Sequence, residues 1–123
     1  MKKNKLTIII YTNSDEKINY ALSLSATAAA IDRKVELFFA GKAVFNFLDE
    51  KKINSDKIFL KPAYSKIYEL LNANIELKTK FLICSGALNE NKIIKEDLRK
   101  DIDWSITGIT EIISDDNSQI IFI

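Results

Sequence analysis

LTIIIYTNSDEKINYALSLSATAAAIDRKVELFF, residues 6–39, reads as strand, helix, strand. Leu6 to Tyr11 is a β-branched run flanked by polar residues, the pattern of a strand buried on both faces in a parallel sheet. Asn13 stands at a helix N-cap position with Glu16 three residues on, a capping-box-like spacing. The helix is expected to run to about Asp32. Ile18, Ala21, Leu22, Ser25, Ala28 and Ala29 share one face at i, i+3, i+4 spacing. So many small residues predict close packing on a sheet. Val35 to Phe39 reads as the second strand, parallel to the first through the helical crossover.

Outward from this unit, Gly41 breaks the chain and a short apolar helix is expected from about Lys42 to Asp49. Val44, Phe45, Phe47 and Leu48 spread over more than one of its faces. Such a helix is buried, either in the core or in a contact between copies. Phe45, Phe47 and Leu48 are therefore the assembly candidates. Lys51 to Pro62 is polar apart from Ile58, Phe59 and Leu60, and reads as a loop. Pro62 suits a helix start, and Tyr64, Ile67, Tyr68, Leu71 and Ile75 repeat at helical spacing behind it. Phe81 to Cys84 is the third strand. A helix from about Asn91 to Leu98, a short strand from Asp103 to Ile106, a turn at Thr107-Gly108 into a short helix through Ile113, and a strand from Ile120 to Ile123 complete the pattern. The alternation predicts one α/β domain over residues 1–123, a three-layer α/β/α sandwich on a mostly parallel five-stranded sheet. The expected strand order is the flavodoxin-like 2-1-3-4-5, which sets Cys84 beside the first loop.

Composition narrows the chemistry. There is no histidine and one cysteine. That removes Ser-His-Asp and Cys-His catalysis, histidine metal sites, thiolate zinc sites and C-x-x-C redox chemistry. No cofactor is expected and no residue is singled out for a metal, an all-carboxylate site being the one kind that composition leaves open. Asp115-Asp116 is the tightest acidic pair, and adjacent carboxylates near a turn are ordinarily solvated. Lys and Arg total 18 against 17 Asp and Glu, so neither nucleic acid nor an anionic membrane is expected as partner. The lone cysteine fits a reducing compartment. Lys2, Lys3 and Lys5 mimic the start of a signal peptide, but the apolar run behind them is too short, and no stretch approaches a membrane helix. The expected location is cytoplasmic.

In open parallel sheets, sites form beyond the carboxyl ends of the strands. The segments reaching that edge hold Thr12, Asn13 and Ser14, then Gly41, then Cys84, Ser85 and Gly86, then Thr107 and Gly108. All three glycines of the chain are among them. These are the candidate binding residues, and Cys84 is the candidate nucleophile. Position alone leaves Cys84 two readings. It is a reactive thiol whose anion nearby helix N-termini favour, or a small buried apolar side chain. The first loop lacks G-x-G-x-x-G and P-loop glycines, so Thr12 to Ser14 read as helix capping or as an anion contact at a helix N-terminus.

Three stretches together resemble the DsrE/DsrF-like family of small sulfur-relay α/β proteins. They are LTIIIYTNSDEKINYALSLSATAAAIDRKVELFFAGKAVFNFL (6–48), FLICSGAL (81–88), and the segment from Glu96 to Leu98 through WSITGIT (104–110). The resemblance implies a homo-oligomer, a homotrimer or homohexamer. It also implies that Cys84 carries a persulfide, taking sulfur from a donor protein and passing it to an acceptor, with Ser85 and Thr12 as further hydroxyl donors. With no second cysteine in the chain, any resolving thiol belongs to a partner or another subunit.

Overall fold

The computed structural model describes residues 4–49 and 62–123, without the side chains of 62–66. The expected loop from Lys51 to Pro62, with Ile58 to Leu60, falls outside the described residues except at its end. There Pro62 opens a helix, as its fixed φ favours.

The elements are β1 (Lys5–Ile10), α1 (Asp15–Ala30), β2 (Lys34–Phe39), a 3-10 helix (Gly41–Phe47), α2 (Pro62–Glu76), β3 (Lys80–Cys84), α3 (Ser85–Glu90), a second 3-10 helix (Lys95–Asp97), β4 (Trp104–Thr107), α4 (Ile109–Ile113) and β5 (Ser118–Phe122). The sheet is five-stranded, and every pairing in it is parallel. Two elements depart from expectation. Asn91 to Leu98 does not form one helix, because α3 begins directly after Cys84 and ends at Glu90. Lys92 then turns into the left-handed region at φ 55°, which breaks helical continuation. Helix α1 is capped by Ser14, one residue beyond the expected Asn13.

The strand order is 4-3-2-1-5, not 2-1-3-4-5. The burial of the strands accounts for it. Leu37, Phe38 and Phe39 of β2 are fully buried on both faces, which suits a strand between two neighbours and not an edge. The edge places go to β4 and β5, which keep exposed residues along their length. Each step from β1 to β4 moves to the adjacent strand in one direction. Connections of one hand then fall on one face of the sheet.

That face holds the main core. Leu6, Ile8 and Ile10 of β1, Val35, Leu37 and Phe39 of β2, and Phe81 and Ile83 of β3 meet Ile18, Ala21, Leu22 and Ala28 of α1 and Ile67 and Leu71 of α2. Each such large side chain contributes about 1.5–3 kcal/mol by leaving water. Between α1 and α2 lies one buried polar knot. Asn74 donates to the carbonyls of Leu22 (3.1 Å) and Leu70 (2.8 Å). It accepts from Ser25 (2.5 Å) and Thr79 (3.0 Å).

The assembly candidates on the first 3-10 helix are corrected by this core. Phe47 is 1% exposed and packs in an aromatic cluster with Phe39 (4.2 Å between centroids) and Trp104 (5.6 Å). Leu48 packs against the same core and pairs with Leu98 in an antiparallel bridge. Of the three, Phe45 alone is substantially exposed, with the Lys42 ammonium over its ring.

The opposite face is thinly covered. Its buried cluster is Ile9, Phe38 and Leu82 under Ile112 of the short α4. Around that cluster Phe122 is 66% exposed, Ile113 62% and Tyr11 57%, with Ile109 and Ile120 also in contact with solvent. Among the described residues no helix is long and apolar enough to cross a membrane.

Candidate functional site

The carboxyl edge of the sheet carries all the candidate residues, but in two groups. Because β2 separates β1 from β3, Cys84 does not lie beside the first loop. Two strand spacings, roughly 10 Å, intervene.

The first group is occupied with holding the chain together. Thr12 Oγ1 accepts from the Ser14 amide (3.0 Å), and Ser14 Oγ accepts from the Lys17 amide (3.4 Å) to cap α1. Asn13 Oδ1 accepts from Asn46 (3.2 Å), tying this loop to the first 3-10 helix. Gly41 has φ +56°, and a Cβ there would lie 2.6 Å from the Tyr11 ring. Glycine is needed both for the left-handed backbone and for the close approach.

The second group surrounds Cys84. Strand β3 delivers Cys84 at its last position, in register with Thr107 at the end of β4. The two connections leaving these strands diverge. The chain after β3 packs Ala87 and Leu88 of α3 into the main core, whereas the chain after β4 packs Ile112 of α4 onto the opposite face. The carboxyl ends of two adjacent strands whose connections leave to opposite faces are the place where open α/β sheets take ligands. Cys84 is a free, partly buried thiol at that place, touching both core clusters.

Cys84 is also the N-cap residue of α3, with extended backbone (φ −70°, ψ 120°) and no side chain capping the helix amides. Ser85 and Gly86 supply the first turn. A Cβ on Gly86 would stand 3.7 Å from Cys84 Sγ, an ordinary contact, so packing alone does not require glycine there. Gly108, just after β4, approaches the same turn, and a Cβ there would be 3.8 Å from Ser85 Oγ. Its amide donates to Glu111 Oε2 at 2.7 Å.

The reading of the sequence missed Glu111. Its signal was present, since a carboxylate three residues after a helix-start glycine has capping-box spacing. It also missed the thinly covered face. The exposed Tyr11 and Phe122 stack there with centroids 5.9 Å apart, yet they come from opposite ends of the sequence.

A family model described as the DsrE/DsrF-like family matches residues 4–118. Among curated proteins no sequence matches. Several solved structures share the fold. A protein of unknown function, MTH1491 from Methanobacterium thermoautotrophicum, is 15% identical with a TM-score of 0.68, over 97% of this chain and 98% of that one. The ychN protein from E. coli is 15% identical with a TM-score of 0.62, over 97% and 99%. BT1422, a conserved protein of unknown function from Bacteroides thetaiotaomicron, is 17% identical with a TM-score of 0.63, over 98% and 95%. At these identities the likeness is one of fold.

Proposed function

The chain belongs to the DsrE/DsrF-like family, and from that premise we propose that it is a sulfur carrier with Cys84 as acceptor. The observation that carries this reading is the place of Cys84. It is a partly exposed free thiol where the connections after β3 and β4 part.

In the first step the Cys84 thiolate attacks the outer sulfur of a donor persulfide. A bond forms between Cys84 Sγ and that sulfur, the donor's sulfur–sulfur bond breaks, and the donor leaves as a thiolate. In the second step an acceptor thiolate attacks the outer sulfur on Cys84, and Cys84 returns to its thiolate. Neither step consumes an outside oxidant or reductant, and both depend on thiolate content and access. The first-turn amides of α3, which no side chain caps, and the Ser85 hydroxyl are the donors at hand for hydrogen bonds to the anion.

Self-association belongs to the same reading. The solvent-facing Tyr11, Ile109, Ile113 and Phe122 on the thinly covered face are the surface for a second copy, in a homotrimer or homohexamer. The donor and acceptor of sulfur are partner proteins in a reducing, cytoplasmic setting.

A second reading rests on the contact of Cys84 with both core clusters. In it the thiol is packing material in a non-catalytic oligomer. Intact mass after incubation with a cysteine desulfurase and cysteine separates the two. A gain of one sulfur atom, reversed by reductant and absent in Cys84→Ser, supports the carrier. No gain, with the thiol resisting alkylation until the chain unfolds, leaves the second reading.

A further inference from the structure

The amino-terminal edge of the sheet, the far end from Cys84, holds a cleft of about 420 Å³ between the turns that enter β2 and β3. Six charged side chains line it: Lys5, Arg33, Lys34, Glu36, Lys78 and Lys80. Five are cations and one is a carboxylate. In a chain of net charge +1, that excess is a local concentration.

The strand register shows how little of it is balanced. Lys5 and Lys34 are partners across β1 and β2, and Glu36 and Lys80 are partners across β2 and β3. The first pairing sets like charges directly opposite one another, which is destabilising, whereas the second sets Glu36 opposite Lys80 as an opposite charge. Glu36 lies 3.3 Å from Lys5 and also accepts from Thr7 (3.2 Å). Lys5 makes a second ion pair with Asp115. Glu36, the one carboxylate lining the cleft, and Asp115 are thus both paired with Lys5. Arg33 reaches sideways to Gln119 Oε1 at 3.0 Å. Lys34, Lys78 and Lys80 have no ion pair among the described residues.

Cations near helix ends ordinarily complement the last carbonyls. Here backbone amides already do so. Ile31, Asp32 and Arg33 donate to carbonyls of Thr27, Ala28 and Ala29, and Leu77, Lys78 and Thr79 donate to those of Ala73, Ile75 and Asn74. The fold therefore brings the Lys34, Lys78 and Lys80 ammonium groups to one cleft without an ion pair for them among the described residues.

We propose that this cleft binds a small polyphosphorylated anion, one with two or more phosphate groups. Its size falls in the range of small-molecule sites, about 300–1,000 Å³. Its cations arrive from three strands and two turns, a spread that one phosphate does not span. Lysines act on phosphate as point charges, and the Arg33 guanidinium adds a planar fork. A concave pocket on an otherwise near-neutral molecule favours a compact anion over a nucleic acid, whose phosphates require an extended basic stripe.

The test is a titration of the full chain, at fixed ionic strength so that screening is constant, with sodium tripolyphosphate, pyrophosphate and inorganic phosphate, followed by amide NMR. Tripolyphosphate and pyrophosphate are expected to shift the amides of residues 33–36 and 77–80 saturably, and phosphate much more weakly. Lys34→Gln/Lys80→Gln is expected to weaken binding at least about fivefold, the order expected for two exposed charge contacts. Cys84→Ser is expected to bind as the parent does, so the result is independent of the sulfur-carrier reading. Unmoved amides at these positions, or equal shifts in the double variant, overturn the proposal. So does a single-stranded oligonucleotide that binds more tightly than tripolyphosphate at the same salt.

Discussion

Replacing Asn74 with alanine tests what joins the two long helices. Asn74 is fully buried and makes four side-chain hydrogen bonds, two donated to carbonyls of α1 and α2 and two accepted from Ser25 and Thr79. The two carbonyls belong to helices and keep backbone partners in the variant. The two hydroxyls lose theirs in a place closed to solvent, since Ser25 is fully buried and Thr79 nearly so. An abandoned buried donor costs about 1–3 kcal/mol. Ser25 recovers part of that by bonding back to its own helix. The expected loss is about 3 kcal/mol, a large part of the 5–15 kcal/mol typical of a whole domain. For a chain of this length it lowers Tm by roughly 10 °C. The assay is urea unfolding followed by circular dichroism, with Tm from a thermal scan. The triple variant Ser25→Ala/Asn74→Leu/Thr79→Val is the control. With donors and acceptors removed together, it is expected to recover most of the loss. An Asn74→Ala variant that melts within about 2 °C of the parent, or a triple variant no better than the single one, refutes the reasoning.

The ion pair at the sheet's amino edge predicts a pH dependence at both extremes. The hydrogen bond from Lys5, and then the Asn117 backbone amide, hold the Asp115 carboxyl below its ordinary 3.8. Its contribution is therefore full above that value and is lost as pH falls through the lowered one. The bond to Asp115, with Glu36 also favouring the charged form against partial burial, holds the Lys5 ammonium above 10.5. That contribution is full below 10.5 and is lost as pH rises through the raised value. Asp115→Asn is expected to flatten the acid limb of the stability curve, and an unchanged limb counts against the pair. Gly41→Ala is expected to cost more by chemical denaturation than the about 1–2 kcal/mol of a left-handed alanine at φ +56°, because its Cβ also meets the Tyr11 ring. Tyr11→Ala in the same chain relieves the 2.6 Å contact but leaves the backbone cost. Phe122→Ser is expected to shift sedimentation toward the monomer without lowering stability. A parent that is already monomeric removes the thinly covered face as an assembly surface.

Local structure was legible in the sequence because it is written at short range. The β-branched run at Leu6 to Tyr11, the VELFF segment and the helical spacing of Ile18, Ala21, Leu22, Ser25 and Ala28 each place a strand or a helix with its buried face. Together they predicted an α/β sandwich on a mostly parallel sheet, which the structure shows to be all-parallel, and the Phe81 to Cys84 run put Cys84 at the carboxyl end of a strand. The helix expected over Asn91 to Leu98 failed for a local reason, since α3 starts at Ser85 and Lys92 takes a left-handed turn. Strand order required the tertiary structure, because it depends on which strand tolerates two covered faces. Phe38 and Phe39 made β2 central, and so moved Cys84 away from the first loop and beside Thr107. The same packing drew Phe47 into the aromatic cluster and left Tyr11 and Phe122 stacked in solvent. The basic cleft likewise gathers residues from three strands that lie far apart in the chain. Periodicity fixes what each segment becomes, whereas competition among many segments for burial fixes which of them meet.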